Sequence, residues 1–91
     1  MIEVKQTPYI DLVDVCRELE MRVRDFEFTY LAKNETFTTL GLTDADVEDL
    51  WEEIEYEKDE KRRQRLTNDY SLINLLRSMG YRGHMIVFIS W

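Results

Sequence analysis

The stretch that most constrains this chain is its last, "HMIVFISW" at 84–91. It is rich in β-branched and aromatic residues, which favour the pleated backbone. From Met85 to Ile89 every position is apolar. A strand turns successive side chains to opposite faces, so both faces of this strand call for cover. The expectation is the central strand of a sheet, or an edge strand that a partner covers.

Helices are needed to pack on such a sheet, and the sequence offers them. "TPYIDLVDVCRELEMRV" reads as one, with Thr7 as N-cap and Pro8 at the first helical position. Leu12, Cys16, Leu19 and Val23 lie at 4-3-4 spacing and form its apolar stripe. Over 24–31, Phe26, Phe28 and Tyr30 alternate with polar residues, which predicts a strand, although Phe26 and Tyr30 also continue the helical stripe. A turn at Lys33–Asn34 and a short helix or second strand to Leu40 follow, closed by Gly41.

Thr43 then reads as the N-cap of a new helix, with Asp46 as the acidic partner of a capping box. Its apolar face is Val47, Leu50, Trp51 and Ile54, and the pattern predicts helix to about Arg65, where "KRRQR" complements the C-terminal dipole. Further on, 69–79 reads as a short helix capped by Asn68 or Asp69 and ended by Gly80, with a strand over 72–79 as the rival. These elements make a small α+β domain over residues 1–91. Two to three helices pack on a short sheet that includes a C-terminal strand over 84–90.

The sequence excludes several chemistries. The chain has 91 residues and no apolar run near the roughly 18–20 residues of a membrane span. Its N-terminus has no signal-like apolar block. One cysteine cannot form an internal disulfide, so the expected setting is reducing and cytoplasmic. Cys16 and His84 are the only residues of their types, too few for a Cys/His zinc site. Cys16 falls on the apolar stripe and His84 opens a strand, which makes one a core residue and the other a strand-end residue or an acid/base group. There is no glycine-rich phosphate loop and no nucleophile elbow. No cofactor, metal or catalytic constellation is expected. "KRRQR" reads as a salt-bridged helix end through Glu57–Lys61 and Asp59–Arg63. Trp51 reads as core, and Trp91 as packed or as an interface anchor.

Charge is unevenly placed. The net charge is −7, yet residues 44–60 hold ten acids and one base, and the remainder is slightly basic. Glu48–Glu52, Asp49–Glu53, Glu53–Glu57 and Glu55–Asp59 are like-charge pairs at i, i+4, each unfavourable by ~0.2–0.5 kcal/mol on a helix. A 17-residue helix is about 25 Å long. Its ten acids would approach the charge spacing of duplex DNA, ~1.7 Å per phosphate. Such a helix can imitate a phosphate track before a basic groove.

Part of the chain resembles a known group. "FEFTYLAKNETFTTLGLTDADVEDLWEEI", within about residues 24–54, is similar to a segment of MqsR-like toxins of the RelE-like group. Phe26, Phe28, Lys33, Asn34, Leu40, Gly41, Leu42 and Thr43 carry the resemblance, and "YRGHMIVFISW" resembles the family's closing strand. The resemblance implies a small α+β fold and a toxin that cleaves RNA. Such toxins are usually basic, and the family pattern is lost after Ile54.

The favoured expectation is a non-catalytic binding protein. Its partner is a basic, nucleic-acid-binding protein, engaged by Glu48, Asp49, Glu52, Glu53, Glu55, Glu57 and Asp59. Small phage and mobile-element inhibitors have this size and charge. Neither direct nucleic-acid binding nor a membrane is expected. The alternatives are a toxin component acting on RNA, with His84 and Arg82 as the residues to mutate, and an assembly protein that oligomerises, for instance as a homodimer, through its C-terminal strand.

Overall fold

The computed structural model describes residues 8–91. It is an α+β fold with four α-helices and a three-stranded mixed sheet. In chain order these are β1 (Tyr9–Asp11), α1 (Leu12–Leu19), a 3₁₀ turn (Val23–Asp25), α2 (Glu27–Leu31), β2 (Phe37–Gly41), α3 (Asp44–Tyr56), α4 (Glu60–Ser78) and β3 (His84–Phe88). The strand order is β1-β3-β2, with β1 parallel and β2 antiparallel to β3.

The apolar β3 is therefore the central strand. Bonded on both sides, it has no free edge to which another strand could add. Met85, Val87 and Ile89 point into the core with Leu12, Cys16, Phe26, Leu40, Leu42, Leu72, Ile73 and Leu76. On the other face of β3, His84 and Phe88 are exposed and Ile86 is half-buried. There Phe88, 42% exposed, packs edge-on to Tyr9 at 5.6 Å and against Phe37 at 6.3 Å.

The first helix starts and ends inside its expected span. Residues 9–11 pair with β3 instead, and Asp11 is the N-cap, accepting from Val13 N–H at 3.3 Å. Thr7 lies outside the described residues. Glu20 takes the left-handed conformation (φ 54°) and Met21 N–H closes onto Cys16 O, which ends the helix before Val23. Leu12 and Cys16 are buried, and Leu19 and Val23 pack against the core from its margin. Burial, with Asp25 nearby, pushes the Cys16 thiol up from its ordinary pKa.

The strand expected over 24–31 is instead the 3₁₀ turn and α2. The reason lies some forty residues away. The Asp69 carboxylate accepts from Glu27 N–H at 2.9 Å and Phe28 N–H at 3.2 Å, so it serves as the N-cap of α2. Asn68 adds a bond from Nδ2 to Asp25 O at 2.7 Å. The sequence marks both residues as caps, but of the wrong helix: they sit in the middle of α4 and cap α2. Thr29 reinforces the arrangement, its buried hydroxyl lying within hydrogen-bond distance of Val23 O and Phe26 O.

The segment 69–79 is helical, as the last part of a longer α4. Gly80 (φ 101°) follows its C-cap, with Tyr81 N–H bonded to Leu76 O and Gly80 N–H to Arg77 O. This is a Schellman close, which needs the left-handed backbone glycine supplies. Gly41 is needed for space rather than φ. A Cβ there would lie 2.6 Å from Asp46 Cγ, inside the capping box of α3.

Burial pushes the Asp69 carboxyl up to about 7, against the lowering effect of its two backbone donors. Its folded pKa exceeds its unfolded one, so the folded chain binds the extra proton. The stability this gives is complete below the ordinary carboxylate range and is lost as pH rises through about 7. Thermal unfolding should therefore show stability falling from about pH 4 to 7, by up to ~1.4 kcal/mol per pH unit, and levelling off above that range. Asp69→Asn should abolish this slope and lower stability at pH 5, because an amide Nδ2 cannot accept from Phe28 N–H.

Candidate functional site

The acidic segment does not form one helix. α3 ends at Tyr56, Glu57 to Asp59 make an extended turn, and α4 begins at Glu60. No glycine or proline marks the break. Asp59 caps α4, accepting from Lys61 N–H at 2.9 Å. "KRRQR" therefore lies in the first turns of α4, where the dipole disfavours cations. Carboxylates from two other helices offset this. The Arg62 guanidinium pairs with Glu27 of α2 at 2.7 Å, with Glu53 of α3 at 3.4 Å, and with Glu57 at the α3–α4 turn. Arg65 takes the other oxygen of Glu27 at 3.1 Å. The expected Glu57–Lys61 and Asp59–Arg63 pairs are replaced by this cluster.

The start of α3 is as the sequence indicates. Thr43 and Asp46 form the reciprocal capping box, and the Thr43 hydroxyl and N–H hold the Asp46 carboxyl below its ordinary pKa. The Asp59 N–H, and then Arg62, lower Glu57 in the same way. Asp44 pairs with Arg77.

The seven candidate acids thus divide. Glu53 and Glu57 are paired to Arg62, and Asp59 is a helix cap. Glu48, Asp49, Glu52 and Glu55 are exposed and have no ion pair among the described residues. Of the like-charge pairs, only Glu48–Glu52 and Asp49–Glu53 lie within one helix, which leaves a penalty of ~0.4–1 kcal/mol.

Glu48, Trp51, Glu52 and Glu55 follow one another at i, i+3, i+4, i+7 and share a helix face. With Val47 and with Tyr70 of α4 they line an open groove of about 450 Å³. Trp51 is not core: it is 48% exposed and lies 5.3 Å from the Tyr70 ring. The helix keeps Ile54 buried, and the half-buried Val47 and Leu50 pack against the core. The sequence places Trp51 on an apolar face. What it does not reveal is that the face is wider than its cover.

The other candidates are placed apart. Cys16 is buried in α1, His84 is exposed at the start of β3, and no hydrogen bond joins them. Arg82 donates to the carbonyls of Arg77 and Tyr81. Among the described residues, no three His, Cys, Asp or Glu side chains are grouped to hold a metal ion, and no helix is long and apolar enough to cross a membrane. No family model, curated protein or solved structure matches the chain, so the likeness to MqsR-like toxins gains no support from them.

Arg62→Met would leave the buried Glu27 with Arg65 alone. Denaturant unfolding should show a loss of ~1–3 kcal/mol. Glu53→Gln removes only the exposed outer pair and should change stability by less than ~0.5 kcal/mol.

Proposed function

We propose that this chain is a small non-catalytic binding protein whose α3 face docks on the basic surface of a partner, of the kind that otherwise holds nucleic acid. One observation carries the reading: a half-exposed Trp51 stands among Glu48, Glu52 and Glu55, carboxylates without ion-pair partners among the described residues. A Lys or Arg side chain suits both features. Its aliphatic stem covers apolar surface, and its cation is attracted by the face of an indole, the best of the aromatic rings for this contact. The carboxylates steer a basic partner into register and raise its on-rate.

The imitation of nucleic acid is short. α3 is about 20 Å long, and Glu48, Asp49, Glu52 and Glu55 are its exposed acids without an ion pair among the described residues, so it stands in for a few phosphates rather than a long track. The partner pairs that contact with an apolar one at Trp51, which nucleic acid itself would not demand.

The test is retention of basic proteins from nuclease-treated lysate on the immobilised chain, eluted with rising salt. The unaltered protein should retain nucleic-acid-binding proteins at low salt. The triple variant Glu48→Lys/Glu52→Lys/Glu55→Lys should lose them, whereas the charge-matched Glu18→Lys/Glu20→Lys/Glu60→Lys should keep them. Equal retention by the two variants would sink the proposal. Trp51→Ala should weaken the retained complex by about tenfold or more, as at an interface hot spot.

A further inference from the structure

A second groove, of about 360 Å³, has the opposite chemistry. It is lined by Arg24, Thr29, Tyr30, Lys33, Asn34 and Trp91, with no acidic side chain among them. Arg24 and Lys33 are exposed, and neither has an ion pair among the described residues. Two aromatic rings accompany these cations, Tyr30 at 61% and Trp91 at 52% exposure. Both rings are held. The Arg65 guanidinium lies 4.1 Å over Tyr30, and Trp91 Nε1 donates to Glu35 O at 2.7 Å. Thr29 offers no free hydroxyl, since its Oγ1 is engaged by Val23 O and Phe26 O.

Held aromatic rings beside cations with no ion pair among the described residues suit a ligand with a planar π face and an anionic group. An inorganic anion would leave the rings unused, and a neutral aromatic would leave the cations unused. The groove volume is within the ~300–1,000 Å³ range of small-molecule sites. A polynucleotide would meet the net charge of −7, whereas a single nucleotide meets the local cations. We propose that this groove binds a nucleoside monophosphate, with the base against Tyr30 and Trp91 and the phosphate on Arg24 and Lys33. The site shares no residue with the α3 groove and does not depend on that reading.

The test uses Trp51→Phe, which leaves Trp91 as the sole indole, and follows its fluorescence with excitation at the red edge of the band. Calorimetry on the unaltered chain checks the same ranking. AMP should give a saturable change. Adenosine alone and inorganic phosphate alone should bind weaker by about tenfold or more, the loss expected when one of two anchoring contacts is removed. Arg24→Gln/Lys33→Gln should weaken AMP by a similar factor with an unchanged circular dichroism spectrum. If that variant fails to fold, weakening of AMP binding by salt on the Trp51→Phe protein takes its place. No saturable response to AMP would overturn the proposal, as would an affinity that salt leaves unchanged. Phosphate matching AMP would reduce the site to a plain anion site, and adenosine matching AMP to an apolar one. An oligonucleotide binding more tightly than AMP would replace the proposal with a nucleic-acid surface.

Discussion

Two buried carboxylates on either side of one backbone turn hold this molecule together. Glu27 is 3% exposed and Asp69 is 6% exposed. Burying a carboxylate is tolerable only where its lone pairs are satisfied. Asp69 meets this with the first N–H groups of α2, and Glu27 with Arg62 and Arg65. A five-residue helix has no stability of its own in water. α2 exists because α4 caps it, and the first turns of α4 tolerate their arginines because α2 and α3 supply carboxylates. The interactions are reciprocal, so the three helices stand or fall as a unit.

This cluster also sets what the acidic segment can present. Arg62 draws Glu53 and Glu57 inward, and Asp59 turns the chain into α4. The acids left outside are those on the middle of α3, beside Trp51. The seventeen-residue acidic run is thus half structural clamp and half open surface. A charge density averaged over the run overstates what a partner would meet.

The legible features were those with local causes. The Thr43–Asp46 box and the α+β class follow from neighbouring residues and from one strand's composition. The sequence allows β3 to be central or a covered edge and 69–79 to be helix or strand, and the fold resolves these as a central strand and a helix closed at Gly80. The rest depended on contacts across the chain. Nothing near Phe26 announces that Asp69 will cap it, so strand-favouring Phe and Tyr read as a strand. Near Glu57 the local sign of a break is Asp59, a capping residue hidden within an acidic run, and the break is also held by Arg62 against Glu27, thirty-five residues earlier in sequence. At the candidate site, the spacing of Glu48, Glu52 and Glu55 was legible. The exposure of Trp51 was not, since a tryptophan on an apolar face gives no sign of how far its cover extends.

The same placement of charge explains why an acidic protein carries a basic groove. Arg62, Arg65, Arg77 and Arg82 are turned onto carboxylates and backbone carbonyls of the chain itself, so they do not dilute the acidic face of α3. The carboxylates nearest Arg24 in sequence are engaged too: Asp25 accepts from Arg22 N–H, and Glu27 holds the two arginines of α4. Arg24 and Lys33 line the groove with Tyr30 and Trp91, and no acidic side chain is among its described lining residues. Exposed charges act over a Debye length of ~8 Å at physiological salt. A small anion at that groove therefore responds to the cations lining it more than to the net charge of the protein.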